Sequence, residues 1–296
     1  MVAVINRCSQ FYMGEFPKAL RFKLGIYMKM LVDWLTNNFS DFFDALRDSI
    51  LWFILRVDGI LQWIPWWIIL LLVFLAGWRI RKSIVSGIVF SSMLFMIGIF
   101  GLWKPMMSTF SLVLTSVVIS LIIGIPIGIL MAYRSNLEAF MTPLLDGMQT
   151  MPSFVYLIPA VIFFSLGTVP AIFATTIYSV PPAIRLTNLA IRNVDKEMLE
   201  AAHAFGSSPW QILIKVEIPQ ALPTIMTGIN QTTMMAMAMV VIASMVGAKG
   251  LGEEVLIAIN RIDIARGFEA GLSIVFMAII IDRLTQGIAE RFKIPE

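Results

Sequence analysis

A polar segment between two long apolar stretches holds the residues whose types and spacing best suit a mechanical task. They are Glu200, Ala201, Ala202, Gly206, Val216, Ile218 and Pro219. Asp195 can cap a helix in this segment with Glu197 in its first turn, and Gly206 can take the left-handed conformation that ends it. Such a segment predicts a water-exposed helical knob on which a soluble partner docks.

A second short helix has its own start signals directly after that glycine. Ser208 and Gln211 are spaced as a capping box, and Pro209 suits the first helical position. Two short helices that meet at a glycine form a rigid hairpin, which spans residues 193–219.

Aromatic residues and prolines cluster in the apolar stretch before this hairpin. The aromatic residues are Phe154, Tyr156, Phe163, Phe164, Phe173 and Tyr178, and the prolines are Pro152, Pro159, Pro181 and Pro182. Aromatic faces attract quaternary ammonium groups, and prolines free backbone groups that must be satisfied inside the protein or by water in a cavity. The cluster predicts proline-broken helices that line a solute path, with simple packing of the aromatic rings as the alternative.

A polar group lies inside the next apolar stretch. It consists of Asn230, Gln231, Thr232 and Thr233. These side chains either reach the path or form hydrogen bonds between helices.

The sequence lacks residues that many enzymatic reactions need. His203 is the only histidine and Cys8 the only cysteine, so a zinc site built from His and Cys and an intramolecular disulfide are excluded, and a Ser-His-Asp triad is not expected at His203 on the hairpin. No glycine-rich loop ends in Gly-Lys-Ser/Thr, so nucleotide phosphates have no backbone cradle. We expect no catalytic residue, metal or cofactor in this chain, and we interpret His203 as a contact residue on the hairpin.

The composition indicates an all-α polytopic membrane protein. Hydrophobic residues make up 58% and charged residues 14% of the chain, and the mean hydropathy is +0.85. Soluble domains carry about 25% charged residues. The net charge is only +3, and no long run of Lys and Arg is present, so nucleic-acid binding is not supported.

Runs without charge give the membrane spans. They are Gly59 to Trp78, Ser83 to Trp103, Pro105 to Tyr133, Gly147 to Ile184 and Ile218 to Ala248. The fourth run is too long for one crossing, and a turn at 166–170 divides it into two. With a last span at Gly267 to Gln286, the sequence predicts about seven crossings of roughly 20 residues each.

Basic residues in alternate connections set the orientation, because they favour the cytoplasmic side. One set holds Arg79, Arg81, Lys82, Arg134, Arg185, Arg192, Lys196, Lys215, Arg283, Arg291 and Lys293. The opposite connections hold Lys104, Lys249, Arg261 and Arg266. The N-terminal tail holds seven more basic residues, but a tail of about 60 residues has little influence on topology. The hairpin and the C-terminus are therefore predicted in the cytoplasm and the N-terminus outside.

The tail before the first span carries an apolar stripe at helical spacing. It comprises Leu31, Leu35, Phe39, Phe42, Leu46, Ile50, Phe53 and Val57, with aspartates on the other side. The stripe predicts an amphipathic helix that lies along the membrane or packs on the first spans.

Charges inside the predicted spans are nearly absent. Asp146 is placed at the start of a span, as a proton site or as a helix N-terminal acid. Secondary transporters usually need buried charges to couple an ion gradient, so this scarcity favours energy supplied from outside the bilayer.

The hairpin resembles the EAA loop of permease subunits of ABC importers. That pattern is Glu-Ala-Ala, three residues, Gly, nine residues, Ile, one residue and Leu-Pro, and here Val216 and Ile218 replace the Ile and the Leu. Three further segments are similar to the glycine betaine/proline branch of these permeases: Met151-Pro152, Ser244 to Gly252, and Ile281-Asp282-Arg283. The resemblance covers residues 108–287.

The resemblance implies a type I importer permease with a defined domain order. Residues 1–58 would form an extracytoplasmic tail, 59–103 two scaffold spans, 108–287 the core with its coupling loop at 193–219, and 288–296 a cytoplasmic tail. The hairpin residues that would couple the core to an ATPase are Glu200, Ala201, Ala202, Gly206, Val216, Ile218 and Pro219. Pro152, Phe154, Tyr156, Pro159, Tyr178, Asn230 and Gln231 would line the translocation path.

The same resemblance implies the function and the partners. Two permease copies, expected to be identical, would bind two ATPase subunits that hold ATP and Mg, and an extracytoplasmic binding protein would deliver the solute. The solute would be glycine betaine, proline or a related compatible solute that protects against osmotic stress. The alternatives are import of choline, carnitine or an amino acid, an ion-coupled transporter or channel acting alone, and a structural anchor, which broken spans disfavour.

Overall fold

The structure is a computed structural model that describes residues 24–291. The described residues form helices joined by short turns, and no strand occurs among them. Cys8 and Lys293 lie outside this range. Two units are distinguished, residues 1–43 and residues 44–296.

The first unit contains helix α1, Leu24–Asn38, and the first residues of helix α2, Ser40–Trp63. The apolar stripe of the tail is helical, as its spacing predicts. The predicted single helix is interrupted at Phe39, whose ring lies 5.7 Å from that of Trp34.

The second unit begins within α2 and continues with α3, Trp66–Arg81, and α4, Ile84–Ile99. A bend of 96° separates α2 from α3 at Pro65, so the predicted span Gly59 to Trp78 is not one straight helix. Hydropathy misses this bend because it reports polarity and not direction, whereas proline cannot supply the backbone hydrogen bond that would continue α2.

The remaining helices form the core. They are α5 Trp103–Tyr133, α6 Ser135–Thr150, α7 Leu157–Phe164, α8 Thr168–Arg192, α9 Lys196–Ala204, α10 Pro209–Ile212, α11 Ile218–Ala238, α12 Val240–Ser244, α13 Leu251–Arg261 and α14 Ile264–Arg291. A 3₁₀ turn, Ser153–Tyr156, precedes α7, and a π-helical segment, Leu213–Glu217, precedes α11. The predicted turn at 166–170 is confirmed, because α7 ends and α8 begins around it.

Helix α8 is the most enclosed part of the core, packed between α5 and α11. Gly124 and Gly128 of α5 permit the close contact: a Cβ at Gly128 would lie 2.6 Å from the carbonyl oxygen of Ile184. Hydroxyls bridge the same interface, with the Ser120 and Ser179 oxygens 3.0 Å apart. Small residues therefore give α5 a face on which α8 approaches closely, and the role of this face is helix packing.

Three described helices are long and apolar enough to cross a membrane: Trp103–Tyr133, Pro209–Ala238 and Ile264–Arg291. Two bent pairs qualify together, which brings the total to as many as five. Seven crossings would also need α4, which is short, and α8, whose Thr, Ser, Asn and Arg residues lower its hydropathy. Since protein covers most of α8, it has little need of a lipid-compatible surface. The count of seven stays a prediction.

At the end of α5 remote from the hairpin, a single side chain holds the start of α13. The buried hydroxyl of Thr109 accepts a hydrogen bond from the Leu251 backbone N–H at 2.7 Å. Gly250 precedes it with φ of +141°, and a Cβ there would lie 3.2 Å from the Pro105 carbonyl oxygen. The contact needs glycine both for its backbone conformation and for its lack of a side chain.

Candidate coupling hairpin and solute path

The first helix of the hairpin begins as its sequence predicts. Asp195 is the N-cap of α9, and its Oδ1 accepts a hydrogen bond of 2.8 Å from the backbone N–H of Glu197. Glu197 in the first turn adds a negative charge where the helix dipole favours it. Glu200 and Ala201 lie further along α9 and are exposed.

A Schellman motif ends α9 at the predicted glycine. Ser207 N–H bonds the carbonyl of Ala202 at 3.1 Å, and Gly206 N–H bonds the carbonyl of His203 at 2.9 Å. Gly206 has φ of +76°, and a Cβ there would meet nothing within 4 Å. The requirement for glycine at this turn is therefore conformational and not one of space.

The second helix also begins as predicted. Ser208 Oγ accepts the N–H of Gln211 at 3.4 Å, while Gln211 Oε1 accepts the N–H of Ser208 at 2.8 Å, and Pro209 occupies the first turn. These reciprocal bonds form the capping box. Among residues 24–291, the exposed His203 bonds only within its own helix, through Nδ1 to the Leu199 carbonyl at 2.7 Å.

The exit of the hairpin contains a residue that sequence analysis missed. Glu217 lies in the π-helical segment between Val216 and Ile218, is only 5% exposed, and accepts a hydrogen bond from the hydroxyl of Tyr133 at the end of α5. π-helical turns are rare and concentrate at functional sites. The available signal was a carboxylate placed directly between two apolar residues, Val216 and Ile218, at the exit of the hairpin.

The base of the hairpin is anchored and its tip is free. A cluster of buried residues joins the base to α8 and α11: Ala190, Ile191, Val194, Leu213, Ala221 and Ile225. At the tip, by contrast, Phe205 is 90% exposed and Trp210 68% exposed. Large exposed apolar side chains on a polar knob are typical of surfaces that bind another protein.

A bend of 108° follows α6, and the first predicted path residue lies at it. Pro152 precedes the 3₁₀ turn, which brings the buried Tyr156 to a ring-centroid distance of 6.1 Å from Tyr178 of α8. The Tyr156 hydroxyl donates to the Met148 carbonyl at 2.5 Å. The structure thus brings two of the predicted path residues together, while Phe154 is 58% exposed.

The other prolines do not break helices. Pro159 lies in the first turn of α7, where a missing N–H is harmless. Pro181 and Pro182 lie inside a continuous α8, so the prediction that they interrupt a span is wrong. Close packing against α5 and α11 holds the helix through this site despite the lost backbone bonds.

Asn230 serves contacts between helices. Its amide donates to Asp282 Oδ1 of α14 at 2.9 Å, and its Oδ1 accepts a hydrogen bond from Thr285. Of the two interpretations offered by the sequence, this supports interhelical bonding. Gln231 is exposed on α11. A path role for either residue stays a prediction.

Asp146 does not begin a span, contrary to the sequence-based expectation. It lies in the last turn of α6 and forms an ion pair with Arg185, with Oδ1 2.5 Å from Nη2. Arg185, which the orientation analysis assigned to a cytoplasmic connection, lies inside α8. Charge-free windows misplace both residues, because they cannot show that two helices bring the charges together.

A second ion pair joins the same two helices nearer the hairpin. Glu138 of α6 lies 2.7 Å from Arg192 of α8, and Asn188 donates to Glu138 at 2.9 Å. Arg192 also donates to the Met131 carbonyl at 3.1 Å and to the Asn188 side chain at 3.2 Å. This end of the α6–α8 contact is thus closed by a hydrogen-bonded network.

Comparison with known proteins agrees with this architecture. The family described as binding-protein-dependent transport system inner membrane component matches residues 124–294. The chain is 46% identical to the glycine betaine/carnitine transport permease protein GbuB of Listeria monocytogenes serotype 1/2a (strain 10403S), over 94% of this chain and 99% of that protein. It is 44% identical to the glycine betaine transport system permease protein OpuAB of Bacillus subtilis (strain 168), over 92% and 96%.

A similar fold occurs in solved importers of distant sequence. A chain of the inward-facing MetNI methionine ABC transporter aligns with a TM-score of 0.58 and 20% identity, covering 63% of this chain and 94% of that one. With the helical core, the hairpin geometry and the family match together, the chain belongs to the binding-protein-dependent transport system inner membrane components, the permease subunits of type I ABC importers.

Proposed function

We propose that this permease imports glycine betaine, proline or a related quaternary-amine solute in response to osmotic stress. The observation that carries the proposal is the identity of 46% and 44% to relatives named as glycine betaine permeases, over nearly the whole chain. The chain itself is not an enzyme. ATP is hydrolysed in a separate ATPase subunit.

The proposed assembly contains two copies of this chain, two ATPase subunits with bound ATP and Mg, and an extracytoplasmic binding protein. The free tip of the hairpin supports an ATPase contact, because its exposed Phe205 and Trp210 suit a cleft on a soluble partner. In this assignment Glu200, Ala201, Ala202 and Gly206 form the docking surface. Val216, Ile218 and Pro219 connect it to α11.

The solute path is proposed to follow the contact between the bent span and α8. The bend at Pro152 and the edge-to-face Tyr156–Tyr178 pair support it, since the faces of aromatic rings attract a quaternary ammonium group. ATP-driven closure of the ATPases would move the hairpin and tilt these helices, which alternates access.

Reconstituted uptake tests the proposed solute. The permease is purified with its ATPase, placed in liposomes and supplied with its binding protein and labelled glycine betaine. Uptake is expected to require ATP, and unlabelled glycine betaine should compete better than choline, because the relative whose name includes choline is 32% identical, against 46% and 44% for the two relatives reported above. Stronger competition by carnitine, choline or an amino acid, or purification without any ATPase, would contradict the assignment.

We propose the topology predicted by the basic residues: hairpin and residues 288–296 in the cytoplasm, residues 1–58 outside, 59–103 as scaffold and 108–287 as core. Cys8 provides the probe, since it is the only cysteine. A membrane-impermeant maleimide added to intact cells, with any outer membrane permeabilised, is expected to label Cys8. Labelling only after the cytoplasmic membrane is breached would contradict this orientation, with denatured protein as the reactivity control.

A further inference from the structure

The Asp146–Arg185 ion pair lies part-way along the contact between α6 and α8 and not at the hairpin end of α8. Arg185 precedes the end of α8 at Arg192 by seven residues, which is about 10 Å along the helix axis. Its partner Asp146 is in the last turn of α6. Charges at such depth are costly unless they face the protein interior or a water-filled cavity, and they often mark the route of a substrate.

The two ion pairs that join α6 to α8 differ in how many of their hydrogen-bonding groups already have partners. In the pair nearer the hairpin, Glu138 and Arg192 also bond Asn188 and a backbone carbonyl. The Glu138 side chain is only 30% exposed. Such a closed network has little capacity for a further ligand.

The Asp146–Arg185 pair retains that capacity. A single bond of 2.5 Å joins the two side chains, and the Asp146 side chain is 59% exposed. Arg185 Nε is buried and has no hydrogen-bond partner within the described residues 24–291. A buried, unbonded guanidinium N–H is unfavourable, and a ligand carboxylate can satisfy it together with Nη2, since guanidinium binds carboxylate in a bidentate manner.

We propose that Asp146 and Arg185 form a transient site for a zwitterion that carries a quaternary ammonium and a carboxylate. The site rests on the proposed function, because glycine betaine is such a solute. Its carboxylate binds Arg185 while its ammonium lies against Asp146, so the solute replaces the internal ion pair. A cation without a carboxylate would leave Arg185 unpaired, and this penalty gives the site selectivity.

The tyrosine pair precedes this site along the same face of α8. Tyr178 is seven residues before Arg185, two helical turns or about 10 Å away, and its ring lies 6.1 Å from that of Tyr156. The ammonium group would therefore contact aromatic faces first and the carboxylate of Asp146 next. Beyond the site, α8 leads to the closed Glu138–Arg192 network and then to the hairpin.

The test removes both charges at once, so that no lone charge remains. Asp146→Asn/Arg185→Gln is compared with the matched control Glu138→Gln/Arg192→Gln, which neutralises the other ion pair on the same helices. Each full complex, with its ATPase and binding protein, is reconstituted in liposomes. The number of glycine betaine molecules transported per ATP hydrolysed is measured, together with the amount of assembled complex.

The site variant is expected to transport at least about fivefold less solute per ATP, the lower end of typical coupling effects, while ATP hydrolysis persists. The control is expected to change uptake and hydrolysis in parallel. An unchanged ratio in the site variant, or an equal fall in the control, overturns the inference while leaving the proposed function intact. Absence of ATP-dependent uptake by the unaltered complex overturns the proposed function instead.

A charge exchange, Asp146→Arg/Arg185→Asp, separates a ligand site from a purely structural contact and serves as a second test if the neutral variant assembles poorly. The exchange preserves an ion pair between α6 and α8 but inverts the charges relative to the tyrosine pair. Under our proposal the ratio of solute to ATP stays low. Recovery of the ratio to that of the unaltered complex would show that the pair only holds the helices together.

Discussion

Uptake of glycine betaine is expected to stop when the nucleotide site of the partner ATPase is inactivated, even while the proton gradient is intact. The reason is that this permease belongs to a family in which a separate subunit hydrolyses ATP. Asp146, the one acid that the sequence offered as a proton site, also forms an ion pair with Arg185. The measurement is uptake in energised vesicles that contain either the active or the inactivated ATPase at equal levels.

The control for this experiment is an uncoupler added to vesicles with the active ATPase and excess ATP. Uptake is expected to continue, because the gradient is not the source of energy. Uptake that survives loss of the ATPase but collapses with the uncoupler would instead identify an ion-coupled transporter.

Gly206→Leu is expected to insert normally and to lower uptake at least about tenfold, which corresponds to a loss of ~1.4 kcal/mol at the docking contact. Gly206 adopts φ of +76°, and a non-glycine residue in that region costs about 1–2 kcal/mol. Since the site is open, the effect comes from the turn and not from a clash. Gly206→Asn is the matched control, because asparagine tolerates the left-handed conformation and should retain most uptake.

Glu200→Lys should lower uptake to a similar extent, for a different reason. Glu200 is exposed on α9, so charge reversal there leaves the helix intact and alters only its surface. Glu200→Gln, which removes the charge without reversing it, serves as the milder comparison. Normal uptake by both Gly206→Leu and Glu200→Lys, at equal membrane levels, would remove the hairpin from the coupling mechanism.

The hairpin was the part of the molecule most open to prediction, because its signals are local. The caps at Asp195 and Ser208 and the glycine turn at Gly206 each depend on residues within one turn of the chain. Such short-range hydrogen bonds form wherever the chain allows them. The sequence therefore predicted both helices and the turn between them.

Contacts between distant segments were not predictable in the same way. Glu217 meets Tyr133 across 84 positions of sequence, and Asp146 meets Arg185 across 39. Spacing within one helix carries no information about which neighbour lies opposite. The directions of the helices were not predictable from proline positions either. The chain bends at Pro65 and Pro152, whereas Pro181 and Pro182 leave α8 continuous.

Helix α5 gives the permease one uninterrupted connection between its two ends. It has 31 residues, about 46 Å of helix, with the Tyr133–Glu217 bond at one end and the Thr109–Leu251 bond at the other. A continuous helix bonded at both ends can transmit a displacement in either direction. Suppose that binding at the α13 end changes the affinity of the hairpin for its partner by some factor. By thermodynamic reciprocity, binding of that partner at the hairpin then changes the affinity at the α13 end by the same factor.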